Sequence, residues 1–184
     1  VLLLREQVKE YTGSIDLLFV NAGYGKFATV EHADENHFNE LFNTLVKGCF
    51  FTVQQMLPLM EKGSAIVLNT SVVTQMGMQN FSVYSAAKSA VQSFIKTFAA
   101  EFTLKGIRVN GISPGYIKTN IFNNTGLDSQ QIEGAVQSII PTIPFKRFGE
   151  PAEIANAVLF LASQEASYIH GSELTVDAGV SILK

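Results

Sequence analysis

Short apolar runs alternate with longer mixed ones along the chain. "IDLLFV" (15–20) and "AIVL" (65–68) are continuous apolar stretches of strand length, the pattern of parallel strands buried on both faces. Between them, "ENHFNELFNTLVKGCFFTVQQMLPLM" (35–60) is long enough for several helical turns. A second long helical stretch, "YSAAKSAVQSFIKTFAAEFTLKG" (84–106), follows the second strand, and Gly106 is placed to cap it. "IRVNGIS" (107–113) predicts a third strand, "PAEIANAVLFLAS" (151–163) a helix opened by proline, and "ELTVD" (173–177) a fourth strand. Strands alternating with helices predict an α/β, doubly wound parallel sheet with helices on both faces. No repeat or linker interrupts it, so 1–184 reads as one domain.

Both long helices carry apolar residues almost all the way round. The first has Phe38, Leu41, Phe42, Leu45, Val46, Phe50, Phe51 and Val53; the second has Val91, Phe94, Ile95, Phe98 and Phe102. A helix lying on an open sheet needs one apolar face only. The excess predicts a subunit interface on these helices, with a thick monomer core as the alternative.

Composition narrows the function. A content of 47% hydrophobic and 16% charged residues suits a packed core rather than disorder. The net charge of -3 supplies no basic field, which argues against nucleic acid as a partner. Cys49 is the single cysteine, and His32, His37 and His170 are scattered without metal-ligand spacing, so no metal site is expected. The opening "VLLLREQVKEYTG" is apolar for four residues and then charged, unlike a signal peptide or membrane anchor. Nothing indicates secretion, the Asn69, Asn80 and Asn123 sequons read as chance, and a cytoplasmic location is expected.

The chemistry-bearing stretch is "SVVTQMGMQNFSVYSAAK" (71–88), with Ser71 thirteen residues before Tyr84 and Lys88 four residues after it. A Tyr–Lys pair at this spacing shares one helix face for ordinary reasons, so its surroundings must decide. Ser71 follows directly on the strand "AIVLNT", at the carboxyl edge where open α/β sheets bind ligands. A phenol with an ordinary pKa near ~10 is a poor acid or base at neutral pH. A nearby lysine ammonium is expected to favour the phenolate and lower that value. A serine hydroxyl can hold a substrate oxygen against the phenol. Such a trio passes a proton to a carbonyl oxygen while hydride arrives from elsewhere, which implies a nicotinamide cofactor.

Four features in this order resemble the short-chain dehydrogenase/reductases. They are "VNAG" at 20–23, Ser71 with "YSAAK", "SPGYIKT" at 113–119 and "GSELTVDAG" at 171–179, and the resemblance covers essentially the whole chain. It implies a Rossmann-type fold and an NAD- or NADP-dependent exchange between a secondary alcohol and a carbonyl compound. Tyr84 would be the acid/base, Lys88 would lower its pKa and hold the nicotinamide ribose, and Ser71 would orient the substrate oxygen. Asn21, Ala22 and Gly23 would stabilise the sheet beside the adenosine half. Pro114 and Gly115 would shape a turn beneath the nicotinamide, Ile117 would offer its amide to the carboxamide, and Thr119 its hydroxyl to the carboxamide or the pyrophosphate. The family's pairing of the two long helices across a two-fold axis, with a second contact near the C-terminus, implies at least a dimer and a homotetramer overall.

Two departures stand out. The family's TGxxxGxG phosphate loop is absent, and the motif order implies a chain that begins around the third helix, with two βα units unrepresented. In "NTLVKG", Leu45 occupies the place three residues before Gly48 where the family has a water-holding asparagine. Asn43 lies about 200° round the helix and cannot substitute. If that loss limits proton relay, Leu45→Asn should raise the rate or leave it unchanged.

The stretch 120–151 resembles a variable substrate lid, in which Ile121, Phe122, Leu127, Ile132, Val136 and Ile139 could line an apolar pocket, joined by Met76, Met78 and Phe81. Lys118 and Arg147 are the candidate carboxylate clamps. A small or medium carbonyl compound or alcohol is the expected substrate. The alternatives are 3-oxoacyl-thioester reduction within the same family and a non-catalytic binding protein that kept the fold.

Overall fold

A computed structural model describes residues 1–119 and 128–183. Four strands, β1 (Leu17–Val20), β2 (Ala65–Asn69), β3 (Arg108–Pro114) and β4 (Glu173–Val176), pair in chain order and all in parallel. Helix α1 (Leu2–Tyr11) precedes β1. The first crossover runs through α2 (Glu35–Leu41), a π-helical turn (Phe42–Lys47) and α3 (Gly48–Met56), one continuous helix broken in its middle. Helix α4 (Ser82–Phe102) joins β2 to β3, and α5 (Ser129–Ile139) and α6 (Pro151–Ala162) lie between β3 and β4.

Side-chain alternation along the strands divides the core into two layers. Ile66, Leu68 and Val109 face α3 and α4, packing with Cys49, Val53, Val91 and Ile95. Val67 and Ile112 face the other way, onto Ile154, Val158 and Leu161 of α6. Each such aliphatic side chain contributes about 1.5–3 kcal/mol when fully buried. Double burial holds for β2 and β3. In β1 and β4, at the two edges of the sheet, most side chains are only half-buried. The edge position explains the difference, since each of these strands has a paired neighbour on one side only.

Local signals set the helix ends. The Asp34 side chain accepts from the His37 amide at 2.7 Å, an N-cap of ordinary kind. Glu150 and Glu153 form a reciprocal capping box around Pro151. Helix α4 closes through a 3-10 turn onto Gly106, whose φ of +67° is the left-handed cap its position predicts.

The apolar excess on the two long helices resolves unevenly. Phe98 is buried in the core, whereas Phe50 and Phe51 stay more than a third exposed. Phe94 is half-buried and stacks on Phe98, with Phe50 against both.

Candidate active site

The carboxyl end of β2 and the first two turns of α4 bring Ser71, Tyr84 and Lys88 together. Ser71 leaves the strand in extended conformation and opens a 3-10 turn (Val72–Thr74). The Ser85 hydroxyl donates to the Val73 carbonyl at 2.8 Å and pins this turn to the start of α4. Tyr84, in the first turn of α4, is hydrogen-bonded to Ser71. Lys88 lies one turn further on, and its Nζ donates to the Asn69 carbonyl at 2.8 Å, 5.9 Å from the centre of the Tyr84 ring. Tyr84 is 8% exposed and Lys88 6%.

Burial governs the charges. It pushes the Tyr84 phenol above its ordinary value, with the Ser71 hydrogen bond opposing. The Lys88 ammonium lies 5.9 Å from the centre of the ring, but burial among Leu41, Leu45, Phe27 and Phe81 is the largest influence and leaves the phenol raised rather than lowered. The Lys88 ammonium turns instead to a backbone carbonyl. Lys88 is itself lowered to about 8 by burial, slightly opposed by Cys49. Tyr84 is therefore a neutral phenol at neutral pH, beside a lysine that is mostly charged there.

Asn21, Ala22 and Gly23 are exposed and follow β1. The Asn69 amide donates to Asn21 Oδ1 at 2.6 Å, tying the ends of β1 and β2. Gly23 has a packing reason, because a Cβ there would lie 2.6 Å from Leu45 Cδ2. Gly115 likewise admits no side chain, since a Cβ would sit 2.7 Å from that of Asp177 where the Pro114–Gly115 turn crosses the end of β4. Ile117 forms an isolated parallel bridge with Gly149 that uses the Lys118 amide and the Tyr116 carbonyl, not the amide of Ile117. Thr119 is exposed.

These residues fit the nicotinamide half of a dinucleotide. Two buried polar atoms at the carboxyl ends of β2 and β3, Asn69 Oδ1 and Ser113 Oγ, have no partner among the described residues, the condition of groups awaiting a ligand or water. Of the three donors on the Lys88 ammonium, the bond to Asn69 takes one. No TGxxxGxG run occurs in the sequence to cradle the pyrophosphate.

Leu45 is 3% exposed. It sits in the π-helical turn, packed in one cluster with Leu41, Val73, Tyr84 and Ala87. Single π-turns in helices are frequent at functional sites. The exposed Asn43 points away from this cluster, as its angle round the helix predicts.

Phe27 and Phe81 stack at 4.1 Å and meet the Tyr84 ring edge-on at 5.7 and 6.1 Å. Met78 packs into the same cluster, and Met76 is half-buried. Ile132, Val136 and Ile139 are half-buried on α5, while Ile121, Phe122 and Leu127 lie outside the described residues. Neither clamp candidate is uncommitted. Arg147 makes a two-pronged pair with Glu153, 2.8 Å on each arm, and Lys118 faces Glu150 at 4.0 Å. Among the described residues no cluster of His, Cys, Asp and Glu could hold a metal, and no helix is long and apolar enough to cross a membrane.

The residues missed by pattern reading are Phe27, Asn69, Gln92, Ser113 and Glu173. The strand ends "LNT" and "ISP" signal two of them, since a polar residue closing an apolar strand stands at the ligand edge.

Comparison with known proteins shows the family. A family model described as enoyl-(acyl carrier protein) reductase matches residues 3–181. A 3-oxoacyl-[acyl-carrier-protein] reductase, FabG, of Staphylococcus epidermidis is 35% identical over 97% of this chain and 71% of its own length. Levodione reductase superposes with a TM-score of 0.92 at 34% identity, covering all of this chain and 73% of that one. The angucycline C-6 ketoreductase LanV, solved with bound NADP, superposes at 0.86 with 27% identity, covering 98% of this chain and 68% of that one. The chain belongs to the short-chain dehydrogenase/reductase family. Its members are oxidoreductases that work with NAD or NADP, and so is this protein.

Proposed function

We propose that this protein, acting as one domain, reduces the carbonyl group of an uncharged, largely apolar compound to a secondary alcohol, with Tyr84 as proton donor. The observation that carries the reading is the neutral, buried Tyr84 phenol held between Ser71 and Lys88 at the carboxyl edge of β2. A bound nicotinamide would supply the hydride. Lys88 would hold the ribose, with the Pro114–Gly115 turn, the Ile117 amide and the Thr119 hydroxyl on the nicotinamide side and Asn21–Gly23 on the adenosine side. Ser71 donates to the substrate oxygen and holds it against the phenol. Tyr84 gives its proton to that oxygen as negative charge develops there, and the charged Lys88 nearby favours the phenolate left behind.

A protonated phenol at neutral pH is the form that can give a proton to a carbonyl oxygen, which favours the reading of reduction. Phe27, Phe81 and Met78 beside the phenol favour an apolar substrate body, and with Arg147 paired to Glu153 no guanidinium is left to clamp a carboxylate. The second reading, a 3-oxoacyl thioester as substrate, draws on the family model and the FabG relative. On the surface of α3 and α4, Phe50, Phe51 and Phe94 support pairing of two copies, and a homotetramer overall.

The test is oxidation of NADH and NADPH by the purified protein against a panel of cyclic and open-chain ketones and a 3-oxoacyl thioester. Turnover of the ketones is expected. Preference for the thioester would select the second reading. Nucleotide binding without turnover of any carbonyl compound would refute both and indicate a non-catalytic binding protein.

A further inference from the structure

The last strand reaches beneath the candidate site and touches it twice. One oxygen of the Glu173 carboxylate, Oε1, takes a hydrogen bond from the Thr70 hydroxyl, which shares its proton with the Ile112 carbonyl 2.9 Å away. The other, Oε2, accepts from Gln92 Nε2 at 2.6 Å. Thr70 is the residue before Ser71, and Gln92 lies one helical turn after Lys88 on the same face of α4. Two residues along the strand, the Thr175 hydroxyl meets Gln75 Nε2 at 3.3 Å, on the far side of the Ser71 turn. The carboxylate thus joins the strand end that carries Ser71 to the helix turn that carries Lys88.

The sheet under α4 steps down here to Gly111, whose absent Cβ would fall 3.5 Å from Glu173 Cγ and into Ile95. Ile95 takes the place a larger side chain on β3 would need, and the Glu173 stem packs at its edge.

Resting on the function proposed above, we infer that Glu173 is a positioning residue: its carboxylate clamps Thr70 to Gln92 and so fixes the distance between Ser71 and the Tyr84–Lys88 turn. Because both arms are hydrogen bonds, an amide can replace the carboxylate, with Gln92 turning its own amide to match. An isosteric apolar side chain cannot.

The test compares Glu173→Gln and Glu173→Leu by amide hydrogen exchange and by steady-state kinetics. In the Leu variant, exchange should quicken at least roughly tenfold in 68–75 and 84–92 and stay unchanged elsewhere. Its kcat should fall by roughly tenfold to a hundredfold, the usual loss when a reacting group shifts by about an ångström, with KM little altered. The Gln variant should stay within about threefold of wild type on both readouts, a rescue that a charge-dependent role would not give, while a purely packing role would spare the Leu variant as well. Wild-type exchange in the Leu variant, or equal damage in the Gln variant, would overturn the clamp. Exchange reads the clamp without turnover, so an inactive wild-type chain would refute the proposed function while exchange still decides on Glu173. Should the Leu variant fail to fold, Thr70→Val and Gln92→Leu each remove one arm. Each is expected to loosen its own segment, and no change in either would also overturn the clamp.

Discussion

Restoring asparagine at position 45 should weaken the protein rather than improve it. Leu45 is 3% exposed, and its Cδ2 lies only 2.6 Å from where a Cβ on Gly23 would be. Removing that burial forfeits about 1.5–3 kcal/mol. Enclosing an amide there without partners adds about 1–3 kcal/mol, since the buried cluster of Leu41, Val73, Tyr84 and Ala87 offers one side-chain polar atom, the committed Tyr84 hydroxyl, with Tyr24 only at its edge. The sum is about 3–6 kcal/mol against a total of about 5–15 for a typical domain. In a chain of this size it lowers Tm by roughly 2–4 °C per kcal/mol. Urea unfolding of wild type, Leu45→Asn and Leu45→Ala gives the comparison, with the Ala variant expected to lose about 2–5 kcal/mol. A Leu45→Asn protein within about 1 kcal/mol of wild type and faster in turnover would refute the reasoning. It would mean that the site admits a water and that the relay wants the amide.

Lys88 titrates near 8 when folded, against 10.5 as a free side chain, so the unfolded chain holds this proton more tightly. The penalty is full below about 8 and is relieved as pH rises towards about 10.5, a gain of about 3 kcal/mol. Wild type should therefore gain stability over Lys88→Met across this window, and a flat difference would contradict the burial. Cys49 is raised to about 11 by burial with Lys88 opposing, a coupling the Met variant lacks, so the comparison is made with Cys49→Ala in both proteins. Alcohol oxidation needs the Tyr84 phenolate and should speed about tenfold per pH unit from neutrality upwards, while carbonyl reduction stays flat there; a pH-independent oxidation would count against a raised phenol. Phe51→Glu places charge on the exposed aromatic face of α3 and should shift light-scattering mass towards smaller species, whereas a wild-type protein that is monomeric at micromolar concentration would remove the assembly proposal.

The strands and helices were legible because their periodicities are strong and their breaks are marked by Gly106 and Pro151. Two features escaped. The π-turn at Phe42–Lys47 has no hydrophobic signature, since one extra residue in a helix leaves a sequence apolar on most sides looking the same. Helix α5 was not named as an element, because "SQQIEGAVQSI" lies in the stretch 120–151 that was read only by its resemblance to a substrate lid. In the site, Ser71, Tyr84 and Lys88 could be named from spacing, but the sign of the Tyr84 shift could not. That sign depends on which atom the Lys88 ammonium faces and on how fully Phe27 and Phe81 cover the ring, both set by residues distant in sequence. Glu173 was invisible for the same reason, its two partners lying 103 and 81 residues away.

The most direct test of the account is Tyr84→Phe, which deletes one hydroxyl and keeps the packed ring. Carbonyl reduction should fall by the ~10²–10⁴-fold that a positioned proton donor supplies. Nucleotide affinity, followed by fluorescence titration, should stay within about threefold because Lys88 and its bond to Asn69 are untouched. Retention of more than about a hundredth of wild-type turnover, with affinity unchanged, would contradict Tyr84 as the proton donor.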